Sequence, residues 1–177
     1  MKFITFGERE IKSSTYQTIK DKHIVISITS AEDEEIRLPN NVNRLSELFL
    51  KFDDVQDIDN RYIYFDRSMA KDILDFVENY CDKVSLIVVQ CQAGLSRSVA
   101  IASALSKIMN YIDDPVYTKG IPNMFVYITL LDYFFGNRFW RTEYSKITYQ
   151  RTLSMNRFLN PAICRLSIAK ETKRCKD

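Results

Sequence analysis

The chain has 177 residues, 46% of them apolar and 27% charged, with a formal net charge of +2. That length suits one domain with a real core, and the composition excludes a disordered tail, a collagen and a membrane bundle. The near-neutral charge gives no field that calls for nucleic acid or an anionic surface, so neither a nucleic-acid nor a membrane partner is expected. The positive surplus is local: Arg165, Lys170, Lys173, Arg174 and Lys176 face only Glu171 and Asp177 in residues 161–177.

Two short strands open the chain. Lys2–Phe6 alternates weakly, and His23–Thr29 is a β-branched run bounded by the charged Ala31–Glu35 loop. Ser46–Phe52 predicts a third strand, ending in Asp53, Asp54, Asp57 and Asp59. A helix comes next with Ser68 as its N-cap, because Ala70, Ile73, Leu74, Val77, Tyr80 and Cys81 share one face. Val84–Val89 is almost wholly apolar, as in a parallel strand covered on both faces. Val99–Met109 is small and apolar all round, the pattern of a central buried helix. Asp113-Asp114-Pro115 and Gly120-Ile121-Pro122 bracket a loop, and Asn123 caps a helix that runs to Phe135 and ends at Gly136. A last helix is expected over Thr142–Leu159.

Strands alternating with helices predict an α/β fold: a single domain with a mostly parallel central sheet flanked by helices on both faces. The domain is expected over residues 1–160, with 161–177 as a basic C-terminal tail.

Cys81, Cys91, Cys164 and Cys175 form no Cys-x-x-Cys pair and no regular framework, which suits a reducing compartment. His23 is the single histidine, so zinc held by His and Cys is not expected. The first eight residues hold no apolar run of about seven residues, and no stretch of roughly 18 apolar residues occurs anywhere. A cytoplasmic location is therefore expected.

The chemistry concentrates in Val89-Gln90-Cys91-Gln92-Ala93-Gly94-Leu95-Ser96-Arg97-Ser98. A cysteine ends a buried strand, an arginine six positions on begins a helix, and Gly94 between them is free to take positive φ. A tight strand-to-helix loop aims successive backbone N–H groups inward, and the helix N-terminus adds its own unpaired donors. The Arg97 fork matches two phosphate oxygens. The same positive end favours a thiolate. Cys91 is thus the expected nucleophile under a phosphoryl group bound by Gln92, Ala93, Gly94, Leu95, Ser96 and Arg97. The Cys-x5-Arg spacing alone is weak; the apolar strand before it, the buried helix after it, Gly94 and Ser98 sharpen it.

From Cys91 to Ser98 the sequence resembles the cysteine-dependent protein tyrosine and dual-specificity phosphatases, whose signature is His-Cys-x5-Arg-Ser/Thr. The length suits their compact branch. Ile26-Ser27-Ile28-Thr29, Leu50-Lys51-Phe52-Asp53-Asp54 and Pro122-Asn123 look like small phage and bacterial members, and the resemblance covers roughly residues 1–136. It implies hydrolysis of a phosphomonoester through a phosphocysteine, with no metal and no cofactor. Ser98 inherits help to the departing thiolate. A carboxylic acid some thirty to forty residues before the cysteine protonates the leaving oxygen. Alignment of Leu50-Lys51-Phe52 puts Asp54 there, with Asp57 and Asp53 behind it.

The family's histidine before the cysteine is Gln90 here, which keeps hydrogen-bonding capacity without positive charge. The uncharged loop residues Gln92, Ala93, Leu95 and Ser96 lean toward a phosphorylated protein or peptide as substrate, with phosphate or vanadate as loop ligands. Asn60-Arg61-Tyr62 echoes a phosphotyrosine-recognition motif but lies in the wrong place. Tyr133, Phe134, Phe135, Phe139 and Trp140 read as packing. Two competing readings are a phosphate-binding interaction module, which needs no acid, and a rhodanese-like sulfurtransferase, which needs neither Ser98 nor the aspartates.

Overall fold

The computed structural model describes residues 1–56, 60–110 and 119–136. In chain order these form β1 (Lys2–Gly7), α1 (Glu8–Ile11), α2 (Ser14–Gln17), β2 (His23–Thr29), β3 (Arg44–Lys51), α3 (Arg67–Tyr80), β4 (Leu86–Cys91), α4 (Arg97–Asn110) and α5 (Met124–Phe135). The four strands make one parallel sheet in the order β1-β4-β2-β3. β4 is central: Gly7 pairs with Cys91 on one side and Ser27 with Gln90 on the other.

Every residue of β2 and β4 is buried, because helices or loops cover both faces of the sheet. Alternation divides their side chains between two cores. Ile24, Ile26, Ile28, Ile87, Val89 and Cys91 face the core under α3, α4 and α5, while Val25, Leu86 and Val88 meet Phe6, Ile11 and Tyr16 on the α1–α2 side. Ile36 and Leu38, in the segment between β2 and β3, complete this second core. Each fully buried Ile or Val contributes roughly 1.5–3 kcal/mol, which makes β4 a rigid base for the loop at its carboxyl end.

α4 is buried almost all round, as its composition predicts, and packs on β4, β1 and α5. α3 buries Ala70, Ile73, Leu74 and Val77. Its N-cap is Asp66 rather than the expected Ser68: the Asp66 carboxylate accepts from Met69 N–H at 2.8 Å, so the helix starts two residues earlier. Asn123 does cap α5, accepting from Val126 N–H at 3.1 Å, and Gly136 comes next after Phe135 with φ +72°. Strand edges shift slightly from expectation: β3 starts at Arg44 and stops before Phe52, and β4 begins at Leu86. α1 and α2, four residues each, are too short to show in the periodicity. Phe134 packs edge-on against Phe135, and Tyr133 receives the Arg67 guanidinium over its ring, consistent with packing roles. The expected 142–159 helix, Phe139, Trp140, Asp57, Asp59, the 113–115 turn and the basic tail lie outside the described residues.

Candidate active site

The loop Gln92–Ser96 leaves the carboxyl end of the central strand and turns into the first residue of α4. Gly94 takes φ +74°, the left-handed region in which a side chain is strained. It also lies against the end of β1: a Cβ there would come within 2.4 Å of Gly7 N, and one on Gly7 within 2.9 Å of Ala93 O. The backbones of β1 and the loop therefore touch because both positions are glycine. Glu8 N–H donates to Gln92 O at 3.0 Å, and the N–H groups of Ala100 and Asn123 both reach Ser96 O. By contrast, none of the backbone N–H groups of Gln92 to Ser96 donates to a described acceptor. Carbonyls turned out to the scaffold and N–H groups left over make a concavity suited to an anion.

Cys91 is buried beneath this loop, its Sγ 3.1 Å from Ser98 Oγ. A thiol can donate to that hydroxyl, and a thiolate can accept from it. Arg97 is only 2% exposed. Its Nη1 donates to Phe52 O at 2.7 Å and to Ser30 Oγ at 3.3 Å, and its guanidinium lies 5.9 Å from the centre of the Phe52 ring. These fix one edge of the fork, while Nε has no partner among the described residues. A buried guanidinium whose bonds go only to neutral oxygens is a charge in want of an anion.

The two neighbouring aspartates have different surroundings. Asp53 accepts from Ala31 N–H at 3.1 Å and Ile63 N–H at 3.0 Å, so its carboxylate ties three loops together. Asp54 is exposed and turned toward the phosphate-loop side, where its Oδ1 accepts from Ser96 Oγ and from Asn123 Nδ2, each at 2.8 Å. Only Asp54 of the two is free of backbone partners and adjacent to the loop. Asn123 is legible in the sequence as a helix cap alone. Fully buried, it also joins α5 to the Asp54 segment, donating to Val55 O at 3.0 Å. Ser96 is expected in the phosphate loop, but its bond to Asp54, like the support that Ser30 gives Arg97, is not legible in the sequence, since nothing local marks a serine whose partner lies some forty to seventy residues away.

Gln90 points to the opposite face from Cys91 and donates to Ser27 Oγ at 2.7 Å across the β2–β4 pairing. Its side chain thus bears on the site through strand alignment. His23 pairs with Leu86, five residues before Cys91, or roughly 16 Å away at the strand rise. It is buried with Nδ1 against Asp21 O at 2.8 Å and Nε2 against Tyr16 Oη at 3.1 Å, and burial lowers its pKa from the ordinary 6.5. The single histidine is therefore a core residue, remote from the thiol. Among the described residues no cluster of His, Cys, Asp and Glu has metal-binding geometry, and no helix is long and apolar enough to cross a membrane.

No protein-family model matches the sequence, and no curated protein matches it significantly. The match is in three dimensions. A human tyrosine phosphatase-like serine/threonine/tyrosine-interacting protein superposes with a TM-score of 0.55 over 74% of this chain and 89% of its own, at 15% identity. The fold is that of the tyrosine and dual-specificity phosphatases. A mouse protein assigned as a dual-specificity phosphatase, complexed with zinc tungstate, matches with a TM-score of 0.50 over 74% of this chain and 80% of its own, at 16% identity. In the phosphatase fold of the present chain, Cys91, Arg97 and Ser98 lie where the central strand passes into α4, and Asp54 reaches Ser96 of the intervening loop from the end of β3.

Proposed function

We propose that this chain is a metal-independent phosphomonoester hydrolase acting on phosphotyrosine, and on phosphoserine or phosphothreonine, in a protein or peptide. The observation that carries the proposal is Arg97, a buried guanidinium with neutral partners and an unpaired Nε, set beside a loop whose N–H groups lack described acceptors. A phosphoryl dianion would satisfy both. Tungstate, the oxyanion in the mouse neighbour, has the same tetrahedral demand.

In this reading the Cys91 thiolate attacks phosphorus in line, forming an S–P bond as the P–O bond to the leaving group breaks. Asp54 gives its proton to the departing oxygen. A water then attacks the phosphocysteine, Asp54 takes its proton, and the S–P bond breaks to release phosphate and the thiolate. Ser98, 3.1 Å from Sγ, donates to the sulfur as negative charge returns to it. Arg97 and the loop N–H groups hold the equatorial oxygens throughout. The domain is assigned to 1–160, with 161–177 as a basic tail, and a reducing cytoplasm suits a catalytic thiol.

The test is Cys91→Ser, which replaces the thiol by a hydroxyl while leaving the anion pocket. Hydrolysis of p-nitrophenyl phosphate should fall to background, and vanadate or a phosphotyrosine peptide should still bind. Turnover that survives in this variant excludes the phosphocysteine. The second reading, a phosphate-binding interaction module, is favoured by the phosphatase-like, interacting character of the human neighbour. Wild-type protein that binds phosphate but turns over no aryl phosphate would select it.

A further inference from the structure

Among the described residues four large apolar side chains are half-exposed or more: Val42, Leu95 at 50%, Ile63 at 51% and Ile121 at 83%. Scattered singly such residues are ordinary, but gathered beside a polar pocket they mark a binding surface. The last three gather at Asp54.

Separate contacts bring them there. Leu95 belongs to the phosphate loop and precedes Ser96, whose hydroxyl donates to Asp54 at 2.8 Å. Gly120 lies flat on Leu95, since a Cβ on it would collide with the Leu95 carbonyl, and this sets Ile121 next to Leu95. Ile121 precedes a proline, which holds it extended, and Asn123 is extended too. Side chains alternate along such a segment. Pro122 turns inward and is buried, while Ile121 falls on the side of Asn123, whose Nδ2 reaches Asp54 at 2.8 Å. Ile63 comes from the other direction: its carbonyl accepts from Asp53 N–H at 2.6 Å, and its N–H donates to the Asp53 carboxylate at 3.0 Å. In this chain of contacts Asp54 stands between Ile63 and the Leu95–Ile121 pair.

We infer that Ile121, with Leu95 and Ile63, is a specificity determinant that selects apolar residues flanking the phosphorylated side chain. This rests on the hydrolase reading above and narrows its substrate class to a phosphotyrosine peptide with leucine-like neighbours. The departing oxygen must lie at the acid to take its proton, so the leaving group passes Asp54 on its way out of the pocket. The peptide attached to it then lies over the side chains on either side of Asp54. Apolar flanks remove these side chains and themselves from water, whereas charged or strongly polar flanks lose hydration there and gain no partner.

The test compares two phosphotyrosine peptides of equal length and charge, one with leucine and one with serine on both sides of the modified residue. p-Nitrophenyl phosphate serves as a substrate without flanks. Wild-type kcat/KM should favour the leucine peptide by about tenfold, the low end of discrimination by an apolar contact, because the rim is open to water. The preference should not shrink as salt rises, since no ion pair carries it. Ile121→Ser should reduce it to about threefold, and Ile63→Ser with Ile121→Ser to within about twofold, with p-nitrophenyl phosphate turnover unchanged. Ile121→Leu should keep it. Equal rates on the two peptides, or a preference that survives the double variant, overturn the rim while leaving the hydrolase intact. So does a fall on p-nitrophenyl phosphate as large as that on the leucine peptide, which would place the effect at the catalytic groups. If wild-type protein does not hydrolyse p-nitrophenyl phosphate, it is the hydrolase reading that fails. Fluorescence polarisation of the same peptides on Cys91→Ser then decides the rim: tighter binding of the leucine peptide, lost with Ile121→Ser, supports it, and equal or absent binding overturns it.

Discussion

Asn123→Ala separates positioning of the acid from stability of the fold. The wild-type amide makes three bonds: Oδ1 accepts from Val126 N–H, and Nδ2 donates to Asp54 Oδ1 and to Val55 O. Loss of the helix cap costs about 1 kcal/mol. The two Nδ2 bonds would add about 1 kcal/mol each. Because Asp54 is exposed and Val55 half-buried, water replaces part of that, and a total of about 2 kcal/mol is expected. For a chain of this size, that lowers Tm by roughly 4–8 °C. The catalytic consequence is separate. Asp54 keeps only its Ser96 partner, so the carboxyl samples positions away from the leaving oxygen. General acid catalysis is worth about 10²–10⁴-fold when well placed, and a fall of about tenfold in kcat is expected for phenyl phosphate, whose leaving group needs the proton. For p-nitrophenyl phosphate, whose leaving group needs it little, kcat should stay within about twofold. Asn123→Ser supplies the control: its shorter hydroxyl restores the cap and with it about half of the lost Tm, but cannot also reach Asp54. Equal losses on the two esters, or full recovery of phenyl phosphate turnover in Asn123→Ser, would refute the positioning argument.

Other substitutions probe the remaining assignments. Asp54→Asn should lower phenyl phosphate turnover by about 10²–10⁴-fold with little change in Tm. Asp53→Asn should show the reverse pattern, a lower Tm from weakened bonds to Ala31 and Ile63 N–H with no leaving-group dependence; if Asp53→Asn shows that dependence and Asp54→Asn does not, the acid is misassigned. Gly94→Ala forces a Cβ to within 2.4 Å of Gly7 N at φ +74°, so a loss of about 1–3 kcal/mol from the backbone strain alone is expected, with phosphate affinity reduced; a normal Tm in thermal denaturation would contradict the close contact. His23, neutral in its buried site, binds a proton more readily when unfolded. Its stabilising contribution is therefore complete above 6.5 and lost as pH falls from 6.5 through its lowered folded value, and Tm should decline over that range. In His23→Gln that decline should be flatter, and an unchanged slope would exclude His23 as its source.

Local pattern is enough for much of this protein. β2 and β4 are legible because a strand covered on both faces must be apolar throughout, and α4 because a helix surrounded by sheet and α5 has no polar side. The phosphate loop is legible for a related reason: strand, tight turn and helix start are consecutive in the chain, so Cys91, Gly94, Arg97 and Ser98 are placed by local geometry, and Gly94 does take the positive φ its position requires. Asn123 as a cap falls in the same class. Short elements escape, since four residues of α1 or α2 show no period, and an ambiguity of less than one turn lets Asp66 rather than Ser68 cap α3.

What the chain alone leaves open is every relation across the fold. Asp53 and Asp54 are chemically identical neighbours; the resemblance favours Asp54 as the acid, but the physical difference between them, one a loop tie and the other beside the phosphate loop, comes from the positions of Ala31, Ile63, Ser96 and Asn123. Likewise, the need of Arg97 for an anion is not a property of arginine. It arises from burial beside Phe52 and Ser30 with no described carboxylate in reach. Side-chain type sets which bonds a residue can make, but burial and long-range partners set which of them are left unmade, and those unmade bonds are what a substrate meets.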